Sequence, residues 1–150
     1  MRGSRNDLQL AQAVQGQLAA IGVRMDIVPL ESQVNADRRL SGDFIASFSN
    51  LTPTTDPDQY IYSYVRTGQG VNRARYSNPN VDALLDKARQ STDQATRKAA
   101  YVEAQQLILD DAPLMYTHLD ADLKGVRARV QGMTPSIDGF VRVNKLSVQQ

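Results

Sequence analysis

The chain has 150 residues, a formal net charge of +1 and no cysteine. This length suits one domain with a sizeable core, and the balanced charge argues against a nucleic-acid-binding surface. The absence of cysteine excludes disulfides and thiolate sites. No run of residues has the apolar length of a membrane span. Residues 1–4, "MRGS", are typical of a vector-derived start, and no apolar signal-peptide core follows them.

The first third of the chain predicts two helix–strand pairs. A helix is expected over 6–21, ended by Gly22, and alternating residues predict a strand over 23–29. A shorter helix over 31–42 and a strand over 43–49 follow, which is the order of an α/β unit. The residues expected on the apolar faces of the two helices are Leu10, Ala11, Val14, Leu18, Ile21, Val34 and Leu40.

The rest of the chain predicts three helices and then three strands. Asp56 is expected to cap a helix that Pro57 begins, and Ser77 or Asn78 a helix that Pro79 begins. The longest helix is predicted within 91–113. Strands are expected over 113–119, 123–133 and 139–148. The residues expected on the buried faces of the second and third helices are Val81, Leu84, Leu85, Ala88, Ala100, Tyr101, Ala104, Leu107 and Ile108.

Residue patterns for catalysis or metal binding are weak. His118 is the only histidine, and no G-x-S-x-G, P-loop or G-x-G-x-x-G motif accompanies it. The acidic pairs Asp56/Asp58 and Asp120/Asp122 lie outside any calcium-loop pattern. The sequence therefore predicts a protein that is not an enzyme and needs no metal or cofactor. A binding or interaction module is favoured.

Five segments, in order, resemble the C-terminal lobe of the family 5 solute-binding proteins, the dipeptide and oligopeptide type that serves ABC importers. The segments are "AQAVQGQLAAIGVRMDIVPLE", "LSGDFIASFSN", "DPDQYIYSYV", "NRARYSNPNVDALLDKAR" and "STDQATRKAAYVEAQQLILDDAPLMYTHL". The most specific signal is "YSNPNVDALL" followed by the spacing of Arg97, Tyr101, Gln105 and Pro113. The resemblance covers residues 8 to 142.

This resemblance implies an α/β fold: a single lobe of the periplasmic-binding-protein-like type II fold, with a mixed sheet flanked by helices. Residues 5–132 would form the solute-binding lobe, and 133–150 a tail that returns toward a partner lobe. The family location is periplasmic or extracytoplasmic, and the family partners are an N-terminal lobe and an importer permease. Since ligand lies between two lobes in this family, one lobe alone is expected not to bind ligand well.

The loop after the 43–49 strand points into the ligand cleft in this family. Here it has neither the tryptophan nor the acidic residue common in peptide binders, so a neutral lining is expected. Such a lining argues against recognition of a peptide through a salt bridge to its amino terminus, and it suits a sugar, an opine-like conjugate or a polar amide. A peptide, an opine-like conjugate or a sugar therefore stays open as the solute. The ligand-binding residues implied are Ser49, Asn50, Leu51, Thr52, Thr54 and Thr55. The alternative is that these threonines are ordinary loop and capping residues.

A second functional class stays open beside transport. The chain could be an autonomous or engineered interaction module that keeps the fold without binding solute. A bare sheet edge would then favour a homo-oligomer, with 139–148 as a free strand that adds to a neighbour.

Overall fold

The computed structural model describes residues 5–48, 54–117, 121, 123–136 and 138–149. The chain divides into two compact units, Met1–Leu51 and Thr52–Gln150. In chain order the elements are α1 (Arg5–Ala20), α2 (Ser32–Ser41), α3 (Pro57–Val65), α4 (Pro79–Gln90), α5 (Gln94–Asp111), β1 (Val130–Gln131), a 3₁₀ turn (Val143–Lys145) and β2 (Ser147–Val148). Over these residues, no helix has both the length and the apolar character needed to cross a membrane.

In the unit Met1–Leu51, glycine residues end both helices. Gly22 has a φ of 81° and Gly42 a φ of 80°, in the left-handed region that glycine adopts without steric cost. After α1, the Val23 amide donates to the Leu18 carbonyl at 2.9 Å, and after α2 the Asp43 amide donates to the Arg38 carbonyl at 2.9 Å. These bonds satisfy carbonyls that a helix end leaves free. The predicted glycine stop after α1 is confirmed.

The strands predicted over 23–29 and 43–49 are absent over the residues described, 23–29 and 43–48. Each segment instead has a side-chain hydrogen bond to or from a neighbouring helix. The Gln15 Nε2 donates to the Met25 carbonyl at 2.7 Å, and the Ser47 hydroxyl donates to the Asn35 Oδ1 at 3.4 Å. Alternation predicts which side chains share a face, but a strand forms only where a neighbouring strand supplies its backbone partners.

The apolar face of α1 is mostly half-buried, at Leu10, Val14 and Leu18, whereas the apolar residues of α2 are exposed. Ala11 is the one buried apolar side chain in the described range 8–48. Ile21, expected on the α1 stripe, is 74% exposed, so that prediction is wrong. It lies after the last helical residue, Ala20, where the helical periodicity no longer applies. Val34 and Leu40 are 44% and 58% exposed, so α2 buries no residue.

The unit Thr52–Gln150 has a continuous hydrophobic core built by α3, α4 and α5. The buried members are Tyr62, Val65, Val81, Leu85, Ala88, Ala100, Tyr101, Ala104 and Ile108. Leu84 and Leu107 are partly buried and pack against the same core. The predicted apolar faces of α4 and α5 are therefore confirmed. Side chains cap all three helices, and the residues that accept first-turn amide hydrogens are Asp56, Asn78 and Asp93.

The C-terminal strands are much shorter than predicted. Within 123–133 and 139–148 only β1 and β2 form, and they pair antiparallel, with Val130 opposite Val148 and Gln131 opposite Ser147. The end of the predicted free strand is therefore paired within the chain. Residues 113–117 contain no strand, and His118 and Leu119 lie outside the described residues. The predicted boundary between 5–132 and 133–150 stays a prediction.

Candidate functional site

The predicted ligand-binding loop is described only at its C-terminal end. Ser49, Asn50, Leu51 and Thr52 lie outside the described residues. Thr54 is half-buried and Thr55 is exposed, immediately before α3. The Thr54 hydroxyl donates to the Asp56 carbonyl at 3.1 Å. This bond ties the end of the loop to the first residues of the helix. The ligand-binding role of all six predicted residues stays a prediction.

Asp56 connects this loop end to two further helices. Its Oδ1 accepts the Asp58 amide at 2.8 Å and so caps α3, as predicted. The Arg97 Nη2 of α5 lies 2.8 Å from each oxygen of the same carboxylate. The Arg97 Nη1 donates to the Ala88 carbonyl near the end of α4, at 3.1 Å. Asp56 therefore caps one helix and forms an ion pair with another.

Asp58, two residues later, has a second set of partners. The Arg89 Nη2 donates to its Oδ2 at 2.7 Å, and the Arg89 Nε lies 3.1 Å from both carboxylate oxygens. The Tyr101 hydroxyl lies 3.5 Å from Oδ1. The Arg89 guanidinium also stacks over the Tyr62 ring, 3.3 Å from its centroid. Both acids of the "DPD" motif therefore pair with arginines, one from α4 and one from α5.

Asp86 on α4 holds the C-terminal end of α3. It accepts the Tyr62 hydroxyl at 3.1 Å, and the Arg66 Nε and Nη2 at 2.9 and 3.0 Å. The hydrogen bond from Arg66 is the largest influence on the pKa of the Asp86 carboxyl and lowers it; burial opposes this, and the bond from Tyr62 adds to the lowering, so the pKa lies below its usual value. The carboxylate therefore stays ionised at neutral pH and links two helices.

The segment between α3 and α4 is organised by a buried asparagine. The Asn72 Nδ2 donates to the Tyr76 carbonyl at 2.8 Å and to the Arg66 carbonyl at 3.2 Å, while its Oδ1 accepts the Tyr76 amide at 3.1 Å. Only 9% of the surface of Asn72 is exposed to solvent. In the sequence Asn72 is followed by Arg73 and Arg75, and no pattern distinguishes it as a polar side chain that folds inward.

Asp111, at the end of α5, accepts hydrogen bonds from two residues of the "YSN" segment, Tyr76 and Asn78. The Tyr76 hydroxyl donates at 2.5 Å and the Asn78 Nδ2 at 2.7 Å. These two bonds hold the pKa of the Asp111 carboxyl below its usual value. Burial, followed by the bond to Asp111, raises the pKa of Tyr76 to about 12. Asp111 is the last residue of α5, where the helix dipole disfavours a negative charge. Its carboxylate is instead hydrogen-bonded to residues outside that helix.

The polar residues of the recognised motifs therefore pair with one another. The acids of "DPD" contact Arg89, Arg97 and Tyr101, while Tyr76 and Asn78 of "YSN" donate to Asp111. These contacts join three helices and leave those side chains committed to the fold. The acidic and basic residues are visible in the sequence. Their pairing is not, because no spacing rule links Asp56 to Arg97, 41 residues later.

A group of tyrosines on α3 was also missed by sequence reasoning. The rings of Tyr60 and Tyr64 stack with centroids 4.9 Å apart and an interplanar angle of 30°. Burial, followed by the neighbouring Tyr116 and Tyr64, raises the pKa of Tyr60 to about 12. Tyr116 is 57% exposed. Tyrosines at i and i+4 on a helix are the signal that could have predicted the stacked pair.

The described residues contain no group of three histidine, cysteine or acidic residues able to hold a metal ion. His118, Asp120 and Asp122 lie outside the described residues.

No protein-family model matches the chain. Among curated proteins, the chain is 31% identical over 147 residues to the probable D,D-dipeptide-binding periplasmic protein DdpA of Escherichia coli, covering 92% of this chain and 28% of that protein. It is 29% identical over 133 residues to the peptide transport periplasmic protein SapA of Salmonella typhimurium, covering 86% of this chain and 24% of that protein. The chain thus spans about a quarter of the length of these relatives.

Solved structures show the same fold. The unliganded open form of MppA, a periplasmic murein tripeptide binding protein, matches with a TM-score of 0.75 at 18% identity, over 98% of this chain and 29% of that one. A dipeptide binding protein from Pseudoalteromonas in complex with Met-Leu matches with a TM-score of 0.66 at 28% identity, over 94% of this chain and 29% of that one. The predicted α/β class, a lobe of a periplasmic-binding-protein fold, is confirmed. These relatives are binding proteins rather than enzymes.

Proposed function

The chain belongs to the family 5 solute-binding proteins, and we propose that it forms part of the peptide-binding lobe of an ABC-importer receptor. The observation that carries this proposal is the 31% identity to a D,D-dipeptide-binding protein along 92% of the chain. The likeness to a receptor in complex with Met-Leu supports the same ligand class. A peptide is therefore favoured over the sugar or opine-like ligand that a neutral loop also suits.

The residues before α3 have suitable chemistry for a peptide. The Thr55 hydroxyl can donate and accept hydrogen bonds, and the Thr54 hydroxyl, whose hydrogen is donated to the Asp56 carbonyl, can still accept one from a peptide N–H. The amide groups along a peptide are neutral, so they can bond to hydroxyls without the desolvation cost of a buried ion. With Ser49, Asn50, Leu51 and Thr52, these residues form the proposed ligand-facing loop.

The location and partners follow from the same family. The proposed location is the periplasm, where the named relatives act, and the proposed partners are the rest of a two-lobe receptor and an importer permease. Because this chain spans about a quarter of its relatives' length, it would supply one wall of the cleft. Half a cleft leaves a bound peptide mostly in water, so affinity should be no stronger than about millimolar, or about −4 kcal/mol.

Two-dimensional amide NMR can test this proposal at such weak affinity. The isotopically labelled chain would be titrated with the dipeptide Met-Leu and, separately, with maltose. We expect Met-Leu to shift the amide signals of residues 49–52, 54 and 55 progressively, and maltose to leave them unchanged. Shifts caused by maltose alone, or no peptide-dependent shift in this loop, would contradict the proposal. Micromolar affinity would contradict the half-cleft argument.

A matched pair of threonine variants sharpens the test. Thr54→Val removes the hydroxyl while keeping the shape of the side chain, and Thr92→Val does the same at an exposed position between α4 and α5. Losing one hydrogen bond should weaken Met-Leu binding by about 0.5–1.5 kcal/mol in Thr54→Val. Thr92→Val should bind like the wild type. If the wild type and both variants bind Met-Leu equally well, the Thr54 hydroxyl does not contribute to the binding site.

A further inference from the structure

We propose that Arg97 is a positioning residue for Thr54 and Thr55, the described end of the ligand-facing loop. By holding Asp56 in place, it would fix Thr54 and Thr55 in the arrangement that binds peptide. The inference rests on the proposed function and extends it, because it assigns control of the loop to a residue on α5 whose hydrogen bonds go to Asp56 and Ala88 rather than to Thr54 or Thr55.

The Arg97 side chain is held in place from several directions. Its Nη2 contacts both oxygens of Asp56 at 2.8 Å, and its Nη1 donates to the Ala88 carbonyl at 3.1 Å. Its guanidinium lies 5.4 Å from the centroid of the Tyr101 ring. The side chain is only 23% exposed. A planar guanidinium with two directed bonds on different helices has little freedom to swing, so it can serve as a fixed reference for Asp56.

Asp56 passes this restraint to the loop. Its carboxylate bonds to Arg97 and to the Asp58 amide, while its backbone carbonyl accepts the Thr54 hydroxyl at 3.1 Å. Thr55 is covalently joined to it. Without Arg97, the Asp56 side chain would keep one bond, the helix cap. Rotation of the 54–56 backbone would then be opposed by fewer contacts.

Direct binding of a ligand carboxylate by Arg97 is a different role, and the geometry argues against it. Both terminal nitrogens of its guanidinium already donate to partners in the protein. Its charge is paired with Asp56. A ligand carboxylate would have to compete with Asp56 for the guanidinium charge, so the geometry favours action of Arg97 on the loop through Asp56.

Arg89 provides a matched control. It also pairs with an acid of α3, Asp58, and stacks on Tyr62, so its loss also removes an ion pair from the same group of helices. It has no bond to Asp56 or Thr54. If Arg97 only stabilises the helices, Arg97→Gln and Arg89→Gln should have the same effects on the loop. If Arg97 positions the loop, their effects should differ there.

The experiment measures loop order and peptide affinity in the full chain. Heteronuclear NOE values report backbone motion at Thr54 and Thr55, and a Met-Leu titration gives the dissociation constant. We expect Arg97→Gln to lower both NOE values and to weaken Met-Leu binding by at least about threefold, the size of one modest hydrogen bond. Arg89→Gln should lower the melting temperature and leave both loop readouts at their wild-type values.

Conservative variants keep the test decisive if Arg97→Gln does not fold. Arg97→Lys retains a charge for Asp56 but cannot hold the Ala88 carbonyl with the same planar fork, so loop order should be partly restored. Arg89→Lys is its control. Equal loop NOE values in the Arg97 and Arg89 variants would overturn the inference.

Failure of the proposed function would look different. If Met-Leu causes no shift in the wild-type loop, peptide binding by this loop is contradicted. The NOE comparison then decides the role of Arg97 by itself. Loss of order at Thr54 and Thr55 in the Arg97 variant alone supports it, and unchanged order overturns it.

Discussion

The helices of Met1–Leu51 and those of Thr52–Gln150 have similar sequence patterns but very different burial. Val81, Leu85 and Ala88 on α4 have no exposed surface. Val34 and Leu40, the apolar pair of α2, are 44% and 58% exposed. An apolar stripe therefore identifies a helix in both units, whereas burial depends on whether other elements cover that stripe.

The polar contacts differ in the same way. Arg66–Asp86 and Arg97–Asp56 connect different helices through charge-assisted hydrogen bonds of 2.8 to 3.0 Å. In the other unit, Arg24 and Asp26 are 4.0 Å apart with side chains 91% and 82% exposed. Exposed pairs contribute little to stability. The comparison indicates that α3, α4 and α5 unfold as one cooperative group, while α1 and α2 open at lower free energy.

The largest expected effect is a cavity in the α3–α5 core. Leu85→Ala should lower the free energy of unfolding by about 2–5 kcal/mol, because Leu85 is fully buried and its truncation removes apolar contacts and leaves a void. Leu40→Ala is the matched control in α2 and should change stability by less than about 0.5 kcal/mol. Urea unfolding followed by circular dichroism would measure both. Equal losses would mean that the two units do not differ in packing.

Hydrogen exchange should separate the two groups of helices without any mutation. Amides of α4 and α5 should exchange at least about tenfold more slowly than those of α1 and α2, a difference of about 1.4 kcal/mol in opening free energy. The reason is that α4 and α5 bury seven of the core residues between them. Similar protection in all four helices would contradict the comparison.

A smaller effect is expected at the helix cap of α4. The Asn78 Oδ1 accepts the Asn80 amide at 3.0 Å and the Val81 amide at 3.4 Å. Asn78→Ala should cost about 1 kcal/mol of stability. Asn80→Ala, at an exposed position two residues later, should cost less than about 0.5 kcal/mol. Equal melting temperatures for the two variants would show that the Asn78 cap contributes no measurable stability.

The smallest expected effect is the acid sensitivity contributed by Asp86. Its folded-state pKa is lowered, so its stabilising contribution is present above the unfolded carboxyl pKa of about 3.9 and is lost as pH falls through the folded value. Asp86→Asn should therefore show a shallower loss of stability below about pH 4 than the wild type. Urea midpoints measured across that range would test this. If the variant loses stability just as steeply below that pH, Asp86 does not contribute to the acid sensitivity.

Some of this structure could be predicted from the sequence because its causes are local. Asp56 before Pro57 and Asn78 before Pro79 act within one helical turn, and both caps form as expected. Gly22 ends α1 because left-handed backbone favours glycine. The faces of α4 and α5 follow from the helical period, and an ordered series of short motifs was enough to indicate the family.

Tertiary structure decided the rest, because those features depend on partners far along the chain. The segments 23–29 and 43–48 alternate like strands, yet alternation supplies no neighbouring strand to bond. Asn72 folds inward from a basic loop because three carbonyls and one amide meet around it. Arg97 contacts Asp56 across 41 residues because α3, α4 and α5 pack into one core, which brings the start of α3 beside the first turn of α5. A local pattern predicts what a residue can do, and packing determines which partner it meets.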